Sequence, residues 1–333
     1  MTEPATESTT ALPMVTVLIP ARNEHGDIVE CLQHVAVQDH PLDRIEVVVV
    51  DGASTDGTAE VADKALADMG FAHYAVLTNR EATTPSNLNV GLRYATGDII
   101  CRVDARTRIE PHYVRQCVAT LVNRPDVAVV GGVQRALARD GSAWAVGIAR
   151  ALNNRYSMGG SRYRRAVASG PSDTVYLGAF RRSDLLAVRG WDEGLPTNQD
   201  FDLNQRMGER GLVWFDATLR SGYIPRPTLA ELGQQYVRFG RAKVRYWRLR
   251  DTMPNGRQWA LLVGAPLVAG AVAVLGARHP MPAALAVGSA AALLDRAGSD
   301  DGAPLAARAT ASVATAVIGA GWLGGVAREL ARD

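Results

Sequence analysis

The feature that most constrains this chain is an alternation of short apolar runs with amphipathic segments between residue 14 and about residue 230. The runs at 15–20 and 45–51 are typical of buried strands, and the second is almost continuously apolar. Such continuous runs are typical of parallel strands that are covered on both faces. The alternation therefore predicts an α/β domain built on a Rossmann-like, mostly parallel sheet.

Two aspartates stand where predicted strands end. Strands are predicted over 15–20, 45–51, 73–78 and 99–103, and helices over 27–38, 58–69 and 86–95. Asp51 ends the second strand and Asp104 follows the fourth. Ligands of doubly wound sheets bind outside the carboxyl ends of the strands, so both side chains are expected to face one crevice.

Two further acids complete a candidate constellation, Glu24 just after the first strand and Asp200 at the start of a predicted helix. Acids at strand ends can bind a ribose, or a divalent cation that bridges phosphates, and Asp200 can serve as a general base. A single aspartate at a strand end is more often a turn or cap residue. Two of them at neighbouring strand ends, with Glu24 upstream, favour a nucleotide site.

Several other classes of protein are excluded by missing patterns. The chain has no glycine-rich dinucleotide fingerprint after the first strand, no phosphate-binding P-loop and no nucleophile elbow. Its six histidines and three cysteines lack the spacing of metal ligands. A net charge of +2, from 36 basic and 34 acidic residues, gives no indication of nucleic-acid binding.

Seven short motifs occur together over residues 17–239. They are VLIPARNE at 17–24, VVDGASTDGT at 49–58, PSNLNVG at 85–91, GDIICRVD at 97–104, RGWDE at 189–193, QDFDLN at 199–204 and QYVRF at 235–239. In combination they resemble family-2 glycosyltransferases of the GT-A fold, and within that family the exopolysaccharide enzymes of the succinoglycan type. The resemblance covers residues 14 to about 250.

The resemblance implies roles for the donor site. Pro20, Glu24 and Asp51 would hold the uracil and ribose of a nucleotide-sugar. Asp104 would bind a divalent cation, Mn²⁺ or Mg²⁺, on the diphosphate. The remaining donor-site residues are expected to be Arg22, Arg106, Gln235 and Arg238.

The resemblance also implies roles at the acceptor side. Asp200 matches the catalytic base of the family. Phe239 stands where the family usually has tryptophan and would keep an aromatic surface for an acceptor sugar, and Trp191 is assigned to the same surface.

Two positions depart from the family pattern. Arg106 stands where the second aspartate of the Asp-x-Asp motif is expected, and Gln199 replaces the usual glutamate before the base. An arginine cannot ligate a cation and can pair with phosphate directly. The alternative is that Asp104 suffices as the only protein ligand, with water and diphosphate completing the coordination.

The carboxyl-terminal part has a different composition. Residues 231–258 combine seven basic side chains with four aromatic ones after Gln235, which predicts an amphipathic segment at an anionic membrane surface. Residues 259–277 are uncharged over 19 positions, and further apolar segments cover 281–294 and 305–327. Two or three transmembrane helices are expected over 259–327. The alternative is a buried helical hairpin in a soluble domain.

The topology follows from the charges that flank these segments. The basic cluster before the first apolar segment places the catalytic domain in the cytoplasm of a bacterial cell, in a multi-pass protein of the cell membrane. The polar first 13 residues lack the features of a secretory signal and are expected to form a flexible tail. Arg162, Arg164 and Arg165 either attract a lipid diphosphate or form a solvated loop.

The residues and the resemblance together predict an inverting glycosyltransferase of the cell envelope or of exopolysaccharide synthesis. Its expected partners are a nucleotide-sugar, a lipid-linked or growing glycan and membrane lipids, with no nucleic acid. A polyprenyl-phosphate glycosyltransferase and a non-catalytic membrane scaffold are the alternatives. The donor sugar, the acceptor, the linkage and the oligomeric state stay open at this level.

Overall fold

A computed structural model describes residues 12–157, 162–164, 168–298 and 302–332. The described residues form one mixed sheet whose strand order is β3-β2-β1-β4-β8-β6-β9-β5, with β7 paired to β9. The strands are β1 (Val15–Ala21), β2 (Ile45–Asp51), β3 (His73–Thr78), β4 (Ile99–Arg102), β5 (Thr107–Ile109), β6 (Val127–Ala136), β7 (Gly170–Pro171), β8 (Tyr176–Arg181) and β9 (Leu212–Tyr223).

Helices cover both faces of the sheet and follow it toward the carboxyl terminus. In the sheet domain they are α1 (Ile28–Ala36), α2 (Thr58–Asp68), α3 (Thr84–Tyr94), α4 (Tyr113–Asn123), α5 (Ala143–Asn153), α6 (Arg182–Ala187) and α7 (Gln199–Gly208). Beyond it lie α8 (Leu229–Leu249), α9 (Gly256–Trp259), α10 (Ala265–Arg278), α11 (Pro280–Gly298) and α12 (Leu305–Leu330).

The first half of the sheet confirms the predicted parallel arrangement. β1 lies between β2 and β4 and is parallel to both, and β3 is parallel to β2 at the edge. The second half is mixed, because β8 enters antiparallel between β4 and β6. Hydropathy marks where a strand runs but not its direction, so the sequence did not predict this reversal.

Alternating side chains of the central strands build two hydrophobic layers. Val15, Val17 and Ile19 of β1 enter one core, while Leu18 between them enters the other. A strand buried on both faces must be apolar at successive positions, because neighbouring side chains point to opposite faces. This explains the continuous apolar run of β2, whose residues are all buried.

A third core joins the sheet domain to the carboxyl-terminal helices. It is built from α5, α8 and α12, together with Ala136 at the end of β6. The helices α8 and α12 run in the same direction, since Gly233 lies beside Gly321 and Arg245 beside Glu329. The backbones approach closely, because a Cβ atom on Gly240 would collide with the Trp322 carbonyl oxygen.

An ion-pair cluster anchors α11 to the same region. Asp295 accepts hydrogen bonds from Arg150 of α5 at 2.7 and 3.1 Å and from Arg308 of α12 at 3.1 Å. Arg150 and Asp295 are both buried. Removing one partner of a buried ion pair leaves the other charge without compensation, so the cluster fixes α11 against α5 and α12.

Two stretches among the described residues are long and apolar enough to cross a membrane, Ala260–Arg278 and Leu305–Leu330. The first is not buried in the protein over its most apolar window, whereas 28% of that window is buried in the second. The expected second apolar segment, 281–294, lies in α11 next to Asp295. The expected amphipathic segment 231–258 contains most of α8, and residues 1–11 of the expected tail lie outside the described residues.

The ion-pair cluster gives a stability prediction. Asp295→Asn keeps the shape of the side chain but removes the charge that faces Arg150. We expect it to destabilise the fold by about 3 kcal/mol, as for other broken buried pairs. Thermal unfolding in detergent would show a clearly lower midpoint than for wild type. Asp63→Asn on the exposed face of α2 is the matched control and should leave the midpoint unchanged. Equal midpoints for the two variants would contradict this prediction.

Candidate active site

A large cleft lies where the carboxyl ends of β1 and β4 meet α7 and α8. Its volume of about 1050 Å³ reaches the upper end of the range for single small-molecule sites, about 300–1,000 Å³. One side is formed by residues that follow β1 and β4, and the other by the start of α7 and one face of α8. The crevice expected from the strand ends is therefore present.

The segment after β1 forms the floor of the sheet side. Pro20, Arg22 and Glu24 all line the cleft. The backbone of Asn23 has a positive φ of 53°, and the Glu24 amide donates to Thr58 Oγ1 at 2.9 Å. The Arg22 guanidinium donates to the Ala82 carbonyl at 3.1 Å. This tight turn fixes the three side chains along the edge of the sheet.

Arg106 is engaged by protein rather than free for a ligand. Its Nε and Nη2 donate to the two oxygens of Glu24 at 2.6 and 3.0 Å, a bidentate pair. Burial acts to lower the pKa of Arg106, but Glu24 outweighs it and the pKa is raised. In this structure Glu24 occupies two of the Arg106 donors, and the expected contact of Arg106 with phosphate stays a prediction.

Asp51 lies at the expected strand end but inside a turn. Its carboxylate accepts the Ser54 amide at 2.9 Å and the Ser54 hydroxyl at 2.5 Å. The residue is only 3% exposed and is not part of the cleft lining. In this structure Asp51 shapes the loop behind the cleft, and its expected contact with a nucleoside stays a prediction.

A buried guanidinium brings two of the expected acids together. Arg102, at the end of β4, is 4% exposed. Its Nε donates to Asp104 Oδ1 at 2.8 Å, and its Nη1 donates to Asp200 Oδ1. Asp200 comes from the first turn of α7, 98 residues further along the chain than Arg102. The structure thus places both acids at one point of the cleft.

The surroundings of Asp200 raise its pKa above the ordinary value of an aspartate. The main cause is burial within the cleft, although 45% of its side-chain surface is still open. Asp104 adds repulsion, while Arg102 and a hydrogen bond from Trp191 act in the opposite direction. A carboxylate with a raised pKa is a better proton acceptor, as a general base requires.

Trp191 does not lie where the sequence predicted. Its ring is 2% exposed and packs edge-to-face on Phe180 with the centroids 6.0 Å apart. It therefore presents no stacking surface to an acceptor and acts on the site by its hydrogen bond to Asp200. The expectation that Trp191 contacts the acceptor is corrected for this reason.

One helix carries the remaining predicted residues. Gln235, Arg238 and Phe239 of α8 line the cleft opposite the sheet. The Phe239 ring packs edge-to-face on Tyr236 at a centroid distance of 5.3 Å. The helix is capped by Thr228, whose hydroxyl accepts from the Glu231 amide at 3.2 Å.

Sequence reasoning missed several cleft residues. Arg226 lies between β9 and α8, and its pKa is lowered by burial and by the neighbouring charges of Arg106 and Arg238. An arginine crowded by other arginines is well placed to receive an anion. Its only signal in the sequence is its position just before the basic helix. Arg102 was part of a quoted motif, but nothing local indicated its two partners.

Arg162 and Arg164 differ in their contacts. Arg164 lines the cleft and donates to the Leu152 carbonyl at 3.3 Å. Arg162 donates to the Pro171 and Ala168 carbonyls at 2.7 and 3.0 Å and so holds its own loop. Arg165 lies outside the described residues.

The acidic side chains of the cleft fit a divalent cation that is held mainly by its substrate. Among the described residues, no three histidine, cysteine or acidic side chains are grouped to hold a metal ion by themselves. Mg²⁺ in phosphate-handling sites is usually held by one or two carboxylates plus substrate phosphates. Asp104, whose side chain is 31% exposed, fits such a site as a single protein ligand.

Comparisons with known proteins agree with this geometry. The family model described as "Glycosyl transferase family 2" matches residues 16–186, from β1 to α6. The "Succinoglycan biosynthesis protein ExoA" of Rhizobium meliloti is 28% identical over 257 residues, which cover 77% of each chain. A dolichyl N-acetyl-alpha-D-glucosaminyl phosphate 3-beta-D-2,3-diacetamido-2,3-dideoxy-beta-D-glucuronosyltransferase of Methanococcus voltae is 26% identical and covers 69% of this chain and 72% of its own.

Solved structures show the same fold. The mannosyltransferase PcManGT of Pyrobaculum calidifontis, solved with GDP-Man and Mn²⁺, has a TM-score of 0.63 and 23% identity, and the match covers 97% of this chain and 89% of that one. Residues 1–349 of S. aureus TarS give a TM-score of 0.52 with 17% identity, over 92% and 90% of the two chains. The GT-A fold expected from the motifs is confirmed.

The environment of Asp200 predicts a pH dependence. Only the ionised carboxylate can accept a proton, and its pKa lies above the ordinary aspartate value. Activity that depends on this base should be full above the raised pKa and fall as the pH is lowered through it. The acidic limb of a kcat/KM profile should therefore lie above the ordinary pKa of an aspartate, and Asp200→Asn should abolish turnover. A limb at the ordinary aspartate pKa would contradict the prediction.

Proposed function

The chain belongs to glycosyl transferase family 2, and on this premise we propose that it is an inverting enzyme that uses a UDP-sugar donor. The acceptor is a lipid-linked or growing glycan of the cell envelope or of an exopolysaccharide, and one sugar is added at each encounter.

The observation that carries the proposal is the meeting of Asp104 and Asp200 around Arg102. The two carboxylates belong to distant parts of the chain, yet both contact one buried guanidinium inside one cleft. One acid is suited to the diphosphate end of a donor and the other to the hydroxyl of an acceptor. Bringing both substrates into one cleft supplies a large part of the rate enhancement.

The proposed reaction is a single displacement. Asp200 takes the proton of the acceptor hydroxyl as that oxygen attacks the anomeric carbon of the donor sugar. The bond from the anomeric carbon to the diphosphate oxygen breaks, and the nucleoside diphosphate leaves with the electron pair. A single displacement from the opposite side inverts the configuration at the anomeric carbon.

The negative charge of the departing diphosphate must be stabilised by positive charge. Arg238 and Arg226 line the cleft and are the side chains best suited to this task, because Arg106 is held by Glu24. A divalent cation brought with the donor would be held by Asp104 and would neutralise further charge on the leaving group.

The apolar helices support membrane association. Ala260–Arg278 is long and apolar enough to span a bilayer and is uncovered by the rest of the described protein. The basic face of α8 and the residues that follow it lie just before this stretch. We place the catalytic domain on the cytoplasmic side of the bacterial cell membrane, where nucleotide-sugars are made, in a multi-pass protein.

The test of this proposal measures turnover by the whole protein in detergent. A panel of nucleotide-sugars is supplied, each with Mn²⁺, Mg²⁺ or chelator. We expect turnover of one UDP-sugar, while Asp200→Asn keeps UDP binding and loses turnover. If Asp200→Asn matched wild type in turnover, Asp200 would not be the base. If the folded protein bound no donor at all, the scaffold alternative would replace the enzyme.

The role of Asp104 gives a separate prediction. Asp104→Asn keeps the side-chain size but removes the anionic ligand, so Mn²⁺ should strengthen UDP binding to wild type and not to the variant. Calorimetric titration of UDP with and without Mn²⁺ measures this directly. Asp173→Asn, at an exposed carboxylate elsewhere on the cleft, is the matched control and should keep the Mn²⁺ effect. An Mn²⁺ effect that survives in Asp104→Asn would assign the cation to another residue.

A further inference from the structure

The cleft is also lined by residues of α7, α8 and α12 to which the proposed donor site gives no role. They are Phe201, Lys243, Tyr246, Trp247 and Trp322, and the rim here is formed by residues 252–258. Phe201 follows Asp200 directly in α7, so this set begins beside the proposed base. We call these five lining residues the acceptor end.

A lysine is held inside the acceptor end by two aromatic rings. The Nζ atom of Lys243 lies 4.6 Å from the ring centroid of Phe201 and 4.7 Å from that of Tyr246. The two rings also pack edge-to-face on each other at 5.5 Å. A cation near a ring face is stabilised by the ring quadrupole, but its net charge is not cancelled.

No carboxylate in the described part of the chain neutralises this charge by direct contact. Among the described residues, none has a carboxylate oxygen within 4 Å of Lys243 Nζ, as an ion pair would require. Asp173 is the acid whose field reaches Lys243, and its side chain is exposed at the cleft. Burial lowers the pKa of Lys243, because it disfavours the charged ammonium group. An anion bound beside Lys243 would stabilise that charge.

The position of the acceptor end indicates where that anion comes from. Its rim, at 252–258, ends immediately before the first apolar stretch, Ala260–Arg278. Met253 on this rim is 75% exposed. A ligand that reaches Lys243 across this rim can keep an apolar tail in the bilayer and carry a charged group into the cleft.

We propose that Lys243 binds the phosphate through which the acceptor is attached to its lipid. This inference rests on the proposed function and adds the chemistry by which the acceptor is recognised. The aromatic rings orient the ammonium group, and its N–H donors bind the phosphate oxygens as charge-assisted hydrogen bonds. The phosphate would then lie beside Phe201, the residue that follows the proposed base in α7.

Two kinds of lipid offer this phosphate. In a polyprenyl monophosphate, a phosphate oxygen itself would attack the anomeric carbon. In a lipid diphosphate that already carries a glycan, a sugar hydroxyl would attack and the diphosphate would serve only for binding. Both place an anion at Lys243, and the test separates them.

The test measures binding of the full-length protein to nanodiscs that carry polyprenyl monophosphate, polyprenyl diphosphate or the uncharged polyprenol. Wild type should bind one of the phosphorylated lipids better than the polyprenol. Lys243→Gln should weaken that binding about tenfold, the loss expected for a charge-assisted hydrogen bond, and Lys243→Arg should recover most of it. Lys64→Gln, at the only other lysine of the chain, is the control and should bind as wild type does.

A substitution at Asp173 is expected to change lipid binding in the opposite direction. Asp173→Asn removes the acid whose field acts on Lys243, so it should tighten binding of the phosphorylated lipid. A purely structural role of Lys243 would not make removal of an exposed carboxylate tighten lipid binding. The lipid that shows both effects identifies the source of the phosphate.

The outcomes separate this proposal from the proposed function. UDP binding to Lys243→Gln should equal that of wild type, which shows that the donor side is intact. Equal binding of phosphorylated and uncharged lipids by wild type, or unchanged binding by Lys243→Gln, would overturn the role of Lys243. Competition by inorganic phosphate with no preference for a lipid would overturn the lipid assignment. Absence of any sugar transfer, with these binding effects present, would instead overturn the proposed function.

Discussion

A buried guanidinium requires counter-charge close to it, and the site of this protein is built around the way Arg102 meets that requirement. Asp104 follows two residues later, whereas Asp200 comes from the start of α7. Because an isolated charge in a protein interior is costly, Arg102 restrains α7 to a position over the end of β4. Asp200, the proposed base, is therefore positioned by electrostatics as well as by packing, and Trp191 stabilises its carboxylate.

Local patterns predicted much of the fold. The predicted bounds of β2 and β3 agree with the structure, and those of β1 differ by one residue. In β1 and β2, burial on both faces leaves a continuous apolar signal. The positions of Glu24, Asp104 and Asp200 at the cleft were predicted through motifs. What the sequence did not reveal depends on contacts between distant segments. The pair of Arg106 with Glu24 spans 82 residues, and the burial of Trp191 depends on Phe180.

The carboxyl-terminal helices were predicted from composition but their packing was not. Hydropathy identifies an apolar segment and gives no partner for it. The structure shows that α12 lies along α8, with Gly240 at the closest approach and Glu329 paired to Arg241 and Arg245. The same α8 presents Arg238 and Lys243 to the cleft. One face of α8 thus lines the cleft, and another face packs on the apolar helix α12.

Because α8 contacts both the cleft and α12, ligand binding and the packing of α12 are linked thermodynamically. A ligand that binds between the sheet and α8 favours the arrangement of α8 seen here, and that arrangement is also the one that α12 packs against. By reciprocity, whatever holds α12 in place strengthens ligand binding by the same factor. In the membrane placement proposed above, lipids around α12 would act as effectors of the cleft, and the affinity of this protein for its substrates would depend on the bilayer as well as on the chain.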